Sequence, residues 1–372
     1  MPVQTLGTAD VDVPPGRPPT TDMPIDFSIV EGAEYLRDLL LQPESVRNTL
    51  SDLRPVPALE QVARDLAGGR FGRIVLTAMG GSYHALYPLY LQLVNRRWPV
   101  LLVETSELLG SMAEILDPDT VLIAASQSGH SAEMVRLVDF GPQHPFVIGI
   151  TNTPDSPLAR KSDVMILTHA GAESSVSCKT YVATLTAVEW TAAVLCGNDL
   201  NQTVASLERA VPAMEQYLAK WREHVQFLST ELAGTNDVFV AGRGPSLAAA
   251  GTGGLILKES THVHAEGMSS AAFRHGPFEM LSDKVFVLVF EGSGTGAVLN
   301  AALVKDIREA GGRAALASEN AALDVFRLPA VPDAARPLVE ILPVQMMSLA
   351  LAASSGHEPG RFRLLTKVTT VE

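Results

Sequence analysis

Residues 74–82 read IVLTAMGGS, and residues 238–246 read VFVAGRGPS. Each stretch is a short apolar run that ends in a turn, with glycine at positions 80 and 244 and serine at positions 82 and 246. A short apolar run followed by such a turn predicts a strand of a parallel sheet that leads into a helix. The two stretches therefore predict the first strands of two related α/β units.

Two more pairs of segments follow in the same order. Asp119 begins DTVLIAA and Asp283 begins DKVFVLV, at the spacing of the first pair. Asp163 begins DVMIL and Asp324 begins DVFRL, at a slightly shorter spacing. Three strand-like segments that recur in order predict two copies of one domain. We expect each copy to be a parallel sheet flanked by helices, a flavodoxin-like three-layer α/β sandwich, and the copies to be joined by the helical region 195–232.

The composition narrows the class of protein. The chain has 372 residues, of which 47% are hydrophobic and 19% charged, enough apolar material for substantial cores. A net charge of -13 leaves no basic stripe for nucleic acid. The two cysteines, Cys178 and Cys196, give neither a disulfide framework nor a CxxC metal pair. We expect a cytoplasmic protein without a membrane partner, because the chain start lacks a signal pattern and the apolar stretches 285–290 and 341–353 fall short of the ~18 residues of a span.

These patterns divide the chain into five parts, which are a flexible proline-rich arm at 1–27, a helical lead-in at 28–70, a first domain at 71–215, a second domain at 216–355 and a tail at 356–372. Within the lead-in, helices are predicted at 29–50 and 58–66. A buried helix is predicted at 338–355, with Pro343 near its first turn.

Two loops of the first domain are rich in glycine and hydroxyl groups. Met79-Gly-Gly-Ser82 follows the first predicted strand, and SQSGHS at 126–131 follows the second. Loops at the carboxyl ends of parallel strands bind ligands, and serine hydroxyls and backbone N–H groups suit phosphate oxygens. The second domain carries Glu291 in the equivalent loop, where a carboxylate would repel phosphate. From the residues alone, serine and glycine that merely cap helices and form turns explain the loops equally well.

Several short motifs occur in a fixed order along the chain, among them QPESVRNTL at 42–50, SQSG at 126–129, AGAE at 170–173, LKE at 257–259, HAE at 264–266, RHGP at 274–277 and KVTTVE at 367–372. In these motifs the chain resembles the isomerase half of glucosamine-6-phosphate synthase and the related SIS-type deaminases and deglycases. The likeness extends from about residue 41 to the end of the chain. It implies two tandem SIS domains.

The resemblance also implies roles for individual residues. The phosphosugar-binding positions are Ser82, Ser126, Gln127, Ser128, Ser131, Val176 and Ser177. Glu259 falls on the acid/base that moves a proton between C1 and C2 of the sugar, and His275 falls on the histidine that opens the ring. Lys367 falls on the tail lysine that reaches the open-chain oxygens, so that the tail closes over the site. The resemblance implies a homodimer in which the histidine comes from the neighbouring subunit, and no metal or redox cofactor is expected.

The chemistry that such a reaction needs agrees with these residue types. Proton transfer between adjacent carbons needs a carboxylate with a pKa near the working pH. Ring opening needs a group that protonates the ring oxygen, which suits histidine. A developing enediolate is stabilised by a nearby cation such as Lys367.

The chain departs from the synthase in three places. Ile256 stands where the synthase has a lysine, and the loop after Glu173 is about one residue shorter. No glutamine-hydrolysing domain and no cysteine after Met1 is present, so we expect no glutaminase activity. The sequence therefore predicts an isomerase-deaminase that releases ammonia from an amino-sugar 6-phosphate such as glucosamine 6-phosphate. The alternatives are a fructosamine-6-phosphate deglycase, which the HGPFE segment at 275–279 favours, and a non-catalytic sugar-phosphate sensor.

Each proposed site residue also has an ordinary structural explanation. Glu259 and Lys367 could be solvated surface charges, and His275 could cap a turn. His262 and His264 alternate as in some metal sites, but no further ligand cluster accompanies them, and we expect a packing role. Cys178 has no basic partner in sequence and is expected to be a small residue near the site. His130 replaces a glutamate of the family loop and either faces the phosphate or the solvent.

Overall fold

The structure is a computed structural model that describes residues 27–139, 141, 144–364 and 366–369. Apart from Phe27, the predicted proline-rich arm lies outside the described residues. The chain folds into two parallel β-sheets covered by α-helices. This confirms the predicted fold class of two α/β domains.

The first sheet has five parallel strands in the order β2-β1-β3-β4-β5. These strands are β1 (Arg73–Ala78), β2 (Val100–Glu104), β3 (Thr120–Ala125), β4 (Phe146–Thr151) and β5 (Val164–Leu167). The central strand β3 is buried along its whole length, because helices cover both faces of the sheet. The order is that of flavodoxin-like sheets, in which ligands bind where the strand order reverses, between β1 and β3.

The second sheet has four parallel strands in the order β7-β6-β8-β9. These strands are β6 (Asp237–Gly242), β7 (His264–Ser269), β8 (Val285–Phe290) and β9 (Arg313–Ala317). The order repeats that of the first four strands of the first sheet, and β8 is fully buried like β3. The two sheets therefore share a topology as well as a sequence pattern.

The helices before the second sheet are α1 (Phe27–Glu31), α2 (Glu34–Leu40), α3 (Gln42–Asp52), α4 (Pro57–Ala67), α5 (Gly80–Ala85), α6 (Tyr87–Asn95), α7 (Thr105–Ser111), α8 (Ala132–Leu137), α9 (Pro157–Lys161), α10 (Lys179–Cys196), α11 (Leu200–Glu208), α12 (Ala210–Leu218) and α13 (Trp221–Glu231). The later helices are α14 (Leu247–Thr261), α15 (Ser270–Phe273), α16 (Gly294–Glu309) and α17 (Arg336–Ser354).

The internal repeat has a structural counterpart at its turns. Gly80 and Gly244, which follow β1 and β6, have backbone φ angles of 55° and 58°. Side chains are rarely tolerated in this left-handed region, which explains glycine at both positions. The second predicted pair is also confirmed, because its segments form β3 and β8.

The third predicted pair is wrong in one copy. Residues 164–167 form β5, but Asp324–Phe326 forms a 3₁₀ turn, and Arg327 makes only an isolated bridge to Ser318. Asp324 is held there by Lys220, 2.7 Å away, while Arg327 points to the surface and bonds Asp324 and backbone carbonyls. Because Asp324 and Arg327 are engaged in these surface contacts, the segment does not add a fifth hydrogen-bonded strand to the second sheet.

Helix α17 begins two residues earlier than predicted, and Pro343 lies inside it instead of near its first turn. Together with the 3₁₀ turn before it, this helix has the length and composition of a membrane span, but 89% of its apolar window is buried within the protein. It packs against α13 and α14 and is the central helix of the core.

Helix α14 links the two halves of the molecule. It packs on α17 and β7 in its own half and on α5 of the first half. Close approach requires glycine at the contact with β7, since a Cβ atom on Gly267 would lie 2.1 Å from the carbonyl oxygen of Ala250. Gly81 of α5 meets Thr252 at the same helix. This packing carries the last turn of α14, with Glu259, to the first half of the chain.

Candidate active site

The hydroxyl-rich loop lies at the carboxyl end of β3. Ser126 Oγ accepts a hydrogen bond from the Gly129 backbone N–H at 3.1 Å, and Ser128 Oγ accepts one from His130 at 3.1 Å. Ser131 is the N-cap of α8 and accepts a bond from Met134 N–H at 3.4 Å. The three serine hydroxyls therefore accept bonds from backbone N–H groups of the loop and of α8, and their side chains remain partly exposed. Capping and ligand binding are compatible, because a hydroxyl that accepts one bond can still donate another.

The neighbouring loop contributes Ser82, and the SQSG loop contributes Gln127. Ser82 lies in α5, directly after β1, and β1 pairs with β3, so the two loops share one edge of the sheet. The backbone carbonyl of Gln127 accepts a bond from Asn152 N–H at 3.0 Å, which ties the loop to the end of β4. The predicted phosphate positions are thus gathered at the switch point of the first sheet.

Glu259 lies in the last turn of α14 and is partly buried. Burial raises the pKa of its carboxyl group above the ordinary value, and the charges of Lys367 and Lys258 partly offset that shift. A carboxylate whose pKa is raised toward neutrality can accept and return a proton. The influence of Lys367 also places the tail lysine within electrostatic range of Glu259.

Lys367 is tied into the site by its ammonium group. Its Nζ donates to Glu173 Oε2 at 2.6 Å and to the carbonyl oxygen of Ser175 at 2.7 Å, and 20% of the side chain is exposed. Two residues later, the carbonyl oxygen of Thr369 accepts a bond from Ala132 N–H at 3.1 Å, at the first residue of α8. The described part of the tail therefore runs past the loop after Glu173 to the first residue of α8, which follows the 126–131 loop directly. Its lysine also influences the pKa of Glu259.

Val176 and Ser177 lie in the loop before α10. Val176 is fully buried, and its N–H donates to the carbonyl oxygen of Gly360 at 3.4 Å. The Ser177 hydroxyl shares a hydrogen bond with Thr180 Oγ1 at 2.8 Å. Val176 thus contacts the tail through its backbone, and its side chain belongs to the core.

His275 is not joined to the other predicted residues. It follows α15, is exposed to solvent, and its N–H donates to the Ala272 carbonyl at 2.9 Å. No hydrogen bond or ion pair links its ring to Glu259 or Lys367 in the described part of this single chain. Within one chain, the site is therefore assembled without the histidine.

Other histidines and Cys178 have local partners. His264 Nδ1 lies 2.8 Å from Asp237 Oδ1, while the ring of His262 packs against that of His357 at 5.2 Å. The exposed ring of His130 turns back to the Ser128 carbonyl at 2.6 Å. Burial and the charge of Glu173 raise the pKa of the Cys178 thiol well above its usual range, so the thiolate form is disfavoured.

Two residues near the predicted site have no role in the sequence predictions, Glu173 of the AGAE motif and His84. Glu173 is buried in the loop before α10 and holds Lys367. The ring of His84, on α5, abuts Gly251 of α14 so closely that a Cβ there would lie 2.2 Å from Nδ1. Burial, with a smaller effect of the Lys258 charge, lowers the pKa of His84 to about 4, which keeps the ring neutral at pH 7. The motif was the available signal for Glu173, and the sequence held none for His84.

Comparison with known proteins identifies the family. The SIS domain family profile matches residues 70–194 and, a second time, 231–355. The chain belongs to the SIS domain family. The two matches also confirm the tandem SIS repeat that the resemblance implied.

Relatives of the SIS chain include larger proteins. The glutamine–fructose-6-phosphate aminotransferase (isomerizing) of Pyrococcus horikoshii is 31% identical in an alignment of 349 residues that covers 91% of this chain and 57% of the relative. The chain thus spans less than two thirds of the length of the curated relative it matches.

Solved structures share the fold over nearly their whole length. The C-terminal domain of glucosamine-fructose-6-phosphate aminotransferase from Francisella tularensis superposes with a TM-score of 0.75 at 22% identity, covering 89% of this chain and 98% of that domain. Glucosamine-6-phosphate deaminase from Thermotoga maritima gives a TM-score of 0.69 at 17% identity, with 91% and 100% coverage. At these identities the likeness shows the fold.

Proposed function

We propose that this SIS protein is an aldose/ketose isomerase-deaminase that acts on an amino-sugar 6-phosphate such as glucosamine 6-phosphate. The observation that carries the proposal is the position of Lys367, which is bound by Glu173 and lies two residues before Thr369, whose carbonyl oxygen accepts a bond at the start of α8, next to the 126–131 loop. The charge of Lys367 also lowers the pKa of Glu259. An acid/base, a cation and a phosphate-binding loop are the parts that this reaction requires. The name of the Thermotoga maritima neighbour, a glucosamine-6-phosphate deaminase, supports this choice.

In the proposed reaction the phosphate is bound by the hydroxyls and N–H groups of Ser82 and the 126–131 loop. His275 protonates the ring oxygen and opens the sugar. Glu259 then removes the proton from C2, and Lys367 donates a hydrogen bond to the oxygen on which negative charge develops. Glu259 returns the proton to C1, and a second proton passes from the amino nitrogen to the C1 oxygen, so that the open-chain amino aldehyde becomes a C2 imine of fructose 6-phosphate. Water adds to this imine, and ammonia leaves.

Since His275 is exposed and separate from Glu259 in one chain, we propose that the protein acts as a homodimer in which His275 enters the site of the partner. A site that needs a residue from each of two copies is compatible with a two-fold symmetric assembly. The expectation that this chain hydrolyses no glutamine also stays a prediction, and supplying glutamine with fructose 6-phosphate tests it.

A screen for ammonia release tests the proposal. Pure protein is incubated with glucosamine 6-phosphate, other hexosamine 6-phosphates and amino acid–fructose 6-phosphate conjugates, and ammonia, free amino acid and hexose phosphate are measured. Ammonia and fructose 6-phosphate from the first substrate support the deaminase. No turnover of any of these compounds would end the enzymatic proposal.

The same screen separates the alternatives. The segment HGPFE at 275–279 favours a fructosamine-6-phosphate deglycase, for which a free amino acid is released in place of ammonia. A non-catalytic sensor binds phosphosugar tightly without turnover, and its affinity is unchanged in a Glu259→Gln variant. The partly buried position of Glu259, which a sensor does not need, favours the enzyme.

A further inference from the structure

Glu173 is the most heavily hydrogen-bonded carboxylate at the site. Its side chain is fully buried, and its Oε1 accepts bonds from the N–H groups of Cys178 at 3.0 Å and Thr180 at 3.1 Å. Its Oε2 accepts from the Thr180 hydroxyl at 2.5 Å and from Lys367 Nζ at 2.6 Å. Three of these donors belong to the first residues around α10, and the fourth comes from the tail.

These contacts keep Glu173 ionised although it is buried. Burial alone would raise the pKa of Glu173, but the charge of Lys367 and the bonds from Lys367, Thr180 and Cys178 outweigh it and lower the pKa. A buried carboxylate of this kind is stable only while its partners remain in place. Because α10 is an 18-residue buried helix, the donors at its start are fixed by the core, whereas Lys367 reaches Glu173 from the tail.

We propose that Glu173 is the positioning residue for Lys367. It binds the tail lysine to the loop before α10 and thereby fixes where the ammonium group lies relative to Glu259. This inference rests on the proposed function, in which Lys367 stabilises the developing negative charge. Glu173 itself does not touch the substrate in this account.

The arrangement leaves one part of Lys367 free for the ligand. An ammonium group has three N–H donors, and Glu173 and the Ser175 carbonyl accept two of them. Among the described residues no other group accepts a bond from Lys367, so the third donor can serve a substrate oxygen. The charge of Lys367 lowers the pKa of Glu259, so an ammonium group that moved closer to Glu259 would lower it further and make it a weaker base. Glu173 thus holds the cation in place and limits its effect on Glu259.

A double-mutant cycle on the full chain tests the inference. Glu173→Gln, Lys367→Gln and the double variant are compared for turnover of the substrate found in the ammonia screen. We expect Glu173→Gln to lower kcat ~10- to 100-fold, as for a misplaced reacting group, with KM changed less than about threefold because the phosphate loop is intact. Since Glu173 acts through Lys367, the double variant should be no slower than Lys367→Gln alone. If the loss of kcat in the double variant equals the product of the two single losses, the inference is overturned.

A matched control is a surface glutamate of α2 that bonds the same loop. Glu34 accepts a hydrogen bond from the Ser174 hydroxyl at the surface, and Glu34→Gln should leave kcat unchanged. If Glu173→Gln does not fold, Glu173→Asp keeps the charge on a shorter side chain and takes its place in the cycle, with a smaller expected loss of kcat.

Hydrogen exchange of the tail separates this inference from the proposed function. In Glu173→Gln we expect the amides of Val176 and Ala132, which bond tail carbonyls, to exchange at least ~10-fold faster while α10 stays protected. Unchanged protection overturns the positioning role whatever the kinetics show. If Lys367→Gln retains full turnover while the tail loosens in Glu173→Gln, the proposed chemistry of Lys367 fails and the docking role of Glu173 stands.

Discussion

At the scale of single residues, the surroundings of each carboxyl group determine what it can do. Glu173 and Glu259 both face Lys367, yet the donors around Glu173 lower its pKa, while burial raises that of Glu259. One group is therefore suited to hold a cation and the other to exchange a proton. Hydrogen bonds and a cation suit one glutamate to its task, and burial suits the other.

The raised pKa of Glu259 predicts the acid side of the pH profile. A general base works only when ionised, so kcat/KM should fall as pH drops through a value above the ordinary glutamate range. Lys258 lowers the pKa of Glu259, and Lys258→Met should therefore move this acid limb to higher pH. Lys305→Met, which removes a surface lysine on α16, is the control and should leave the limb in place. A limb that moves to lower pH in Lys258→Met contradicts the assignment.

A buried acid outside the site predicts how stability depends on pH. Burial raises the pKa of Glu340 to about 7, although a bond from Ser246 and the charge of Arg336 oppose the shift. The fold therefore binds a proton that the unfolded chain, with a glutamate pKa near 4.5, releases. The stabilisation is complete below pH 4.5 and is lost as pH rises through about 7.

Glu340→Gln cannot ionise, so its stability should fall less between pH 5 and 8 than that of the wild type, by on the order of 1–3 kcal/mol. Urea denaturation at the two pH values measures this difference. The exposed substitution Glu44→Gln serves as control. Equal pH dependence in Glu340→Gln and the wild type would show that Glu340 is ionised in the fold.

For single residues, the sequence indicated which ones are candidates for the site but not which of them bond to one another. Ser126–Ser131 and Glu259 were identified from motifs, and the structure places them around one tail. The partner of Lys367 was not predicted, because Glu173 lies far away in sequence and is brought close only by the path of the tail. A family resemblance assigns roles to residues, but it does not show that the Glu173 carboxylate binds the Lys367 ammonium group.

At the scale of elements, helix α14 determines where the acid/base lies. Its contacts with β7 and α5 are so close that glycine is needed on the facing strand. Five strands (β1, β3, β5, β6 and β8) were predicted from apolar runs, since parallel strands are buried on both faces, whereas the other four strands were not predicted. The predicted strand at 324–328 is absent because Asp324 and Arg327 form hydrogen bonds at the surface, and the apolar pattern does not show such bonds.

Gly267→Ala tests the close packing of α14. The added Cβ would lie 2.1 Å from the Ala250 carbonyl oxygen and 2.6 Å from Gly251 Cα, and both are backbone atoms that cannot rotate away. We expect a loss of about 1–3 kcal/mol or more in the free energy of unfolding. Gly110→Ala, where nothing lies within 4 Å of the new Cβ, should cost nothing. A Gly267→Ala protein as stable as the wild type would mean that α14 is not packed this closely.

At the scale of the whole molecule, exposed His275 has no bond to Glu259 or Lys367 in the described part of one chain, and the proposal supplies it from a partner subunit. The proposed homodimer makes a quantitative prediction. Glu259→Gln and His275→Ala homodimers should each be inactive, but subunit exchange between them should restore about one quarter of wild-type activity, because half of the dimers then carry one intact site.

A pair of variants in the same chain provides the control for subunit exchange. Glu259 and Lys367 belong to one site of one chain, so mixing Glu259→Gln with Lys367→Gln should restore nothing. Recovery in the control, or none in the test mixture, would contradict a histidine supplied by the partner. Light scattering of the wild type gives the oligomeric state that the exchange requires.

The most direct test of the central claim compares Glu259→Gln with the wild type on the phosphosugar that the ammonia screen identifies. Calorimetric titration measures binding, and ammonia release measures turnover. The account predicts affinity within a few-fold of the wild type, because the phosphate loop is intact, together with turnover lowered by ~10²–10⁴. A Glu259→Gln protein that releases ammonia at the wild-type rate would contradict the account.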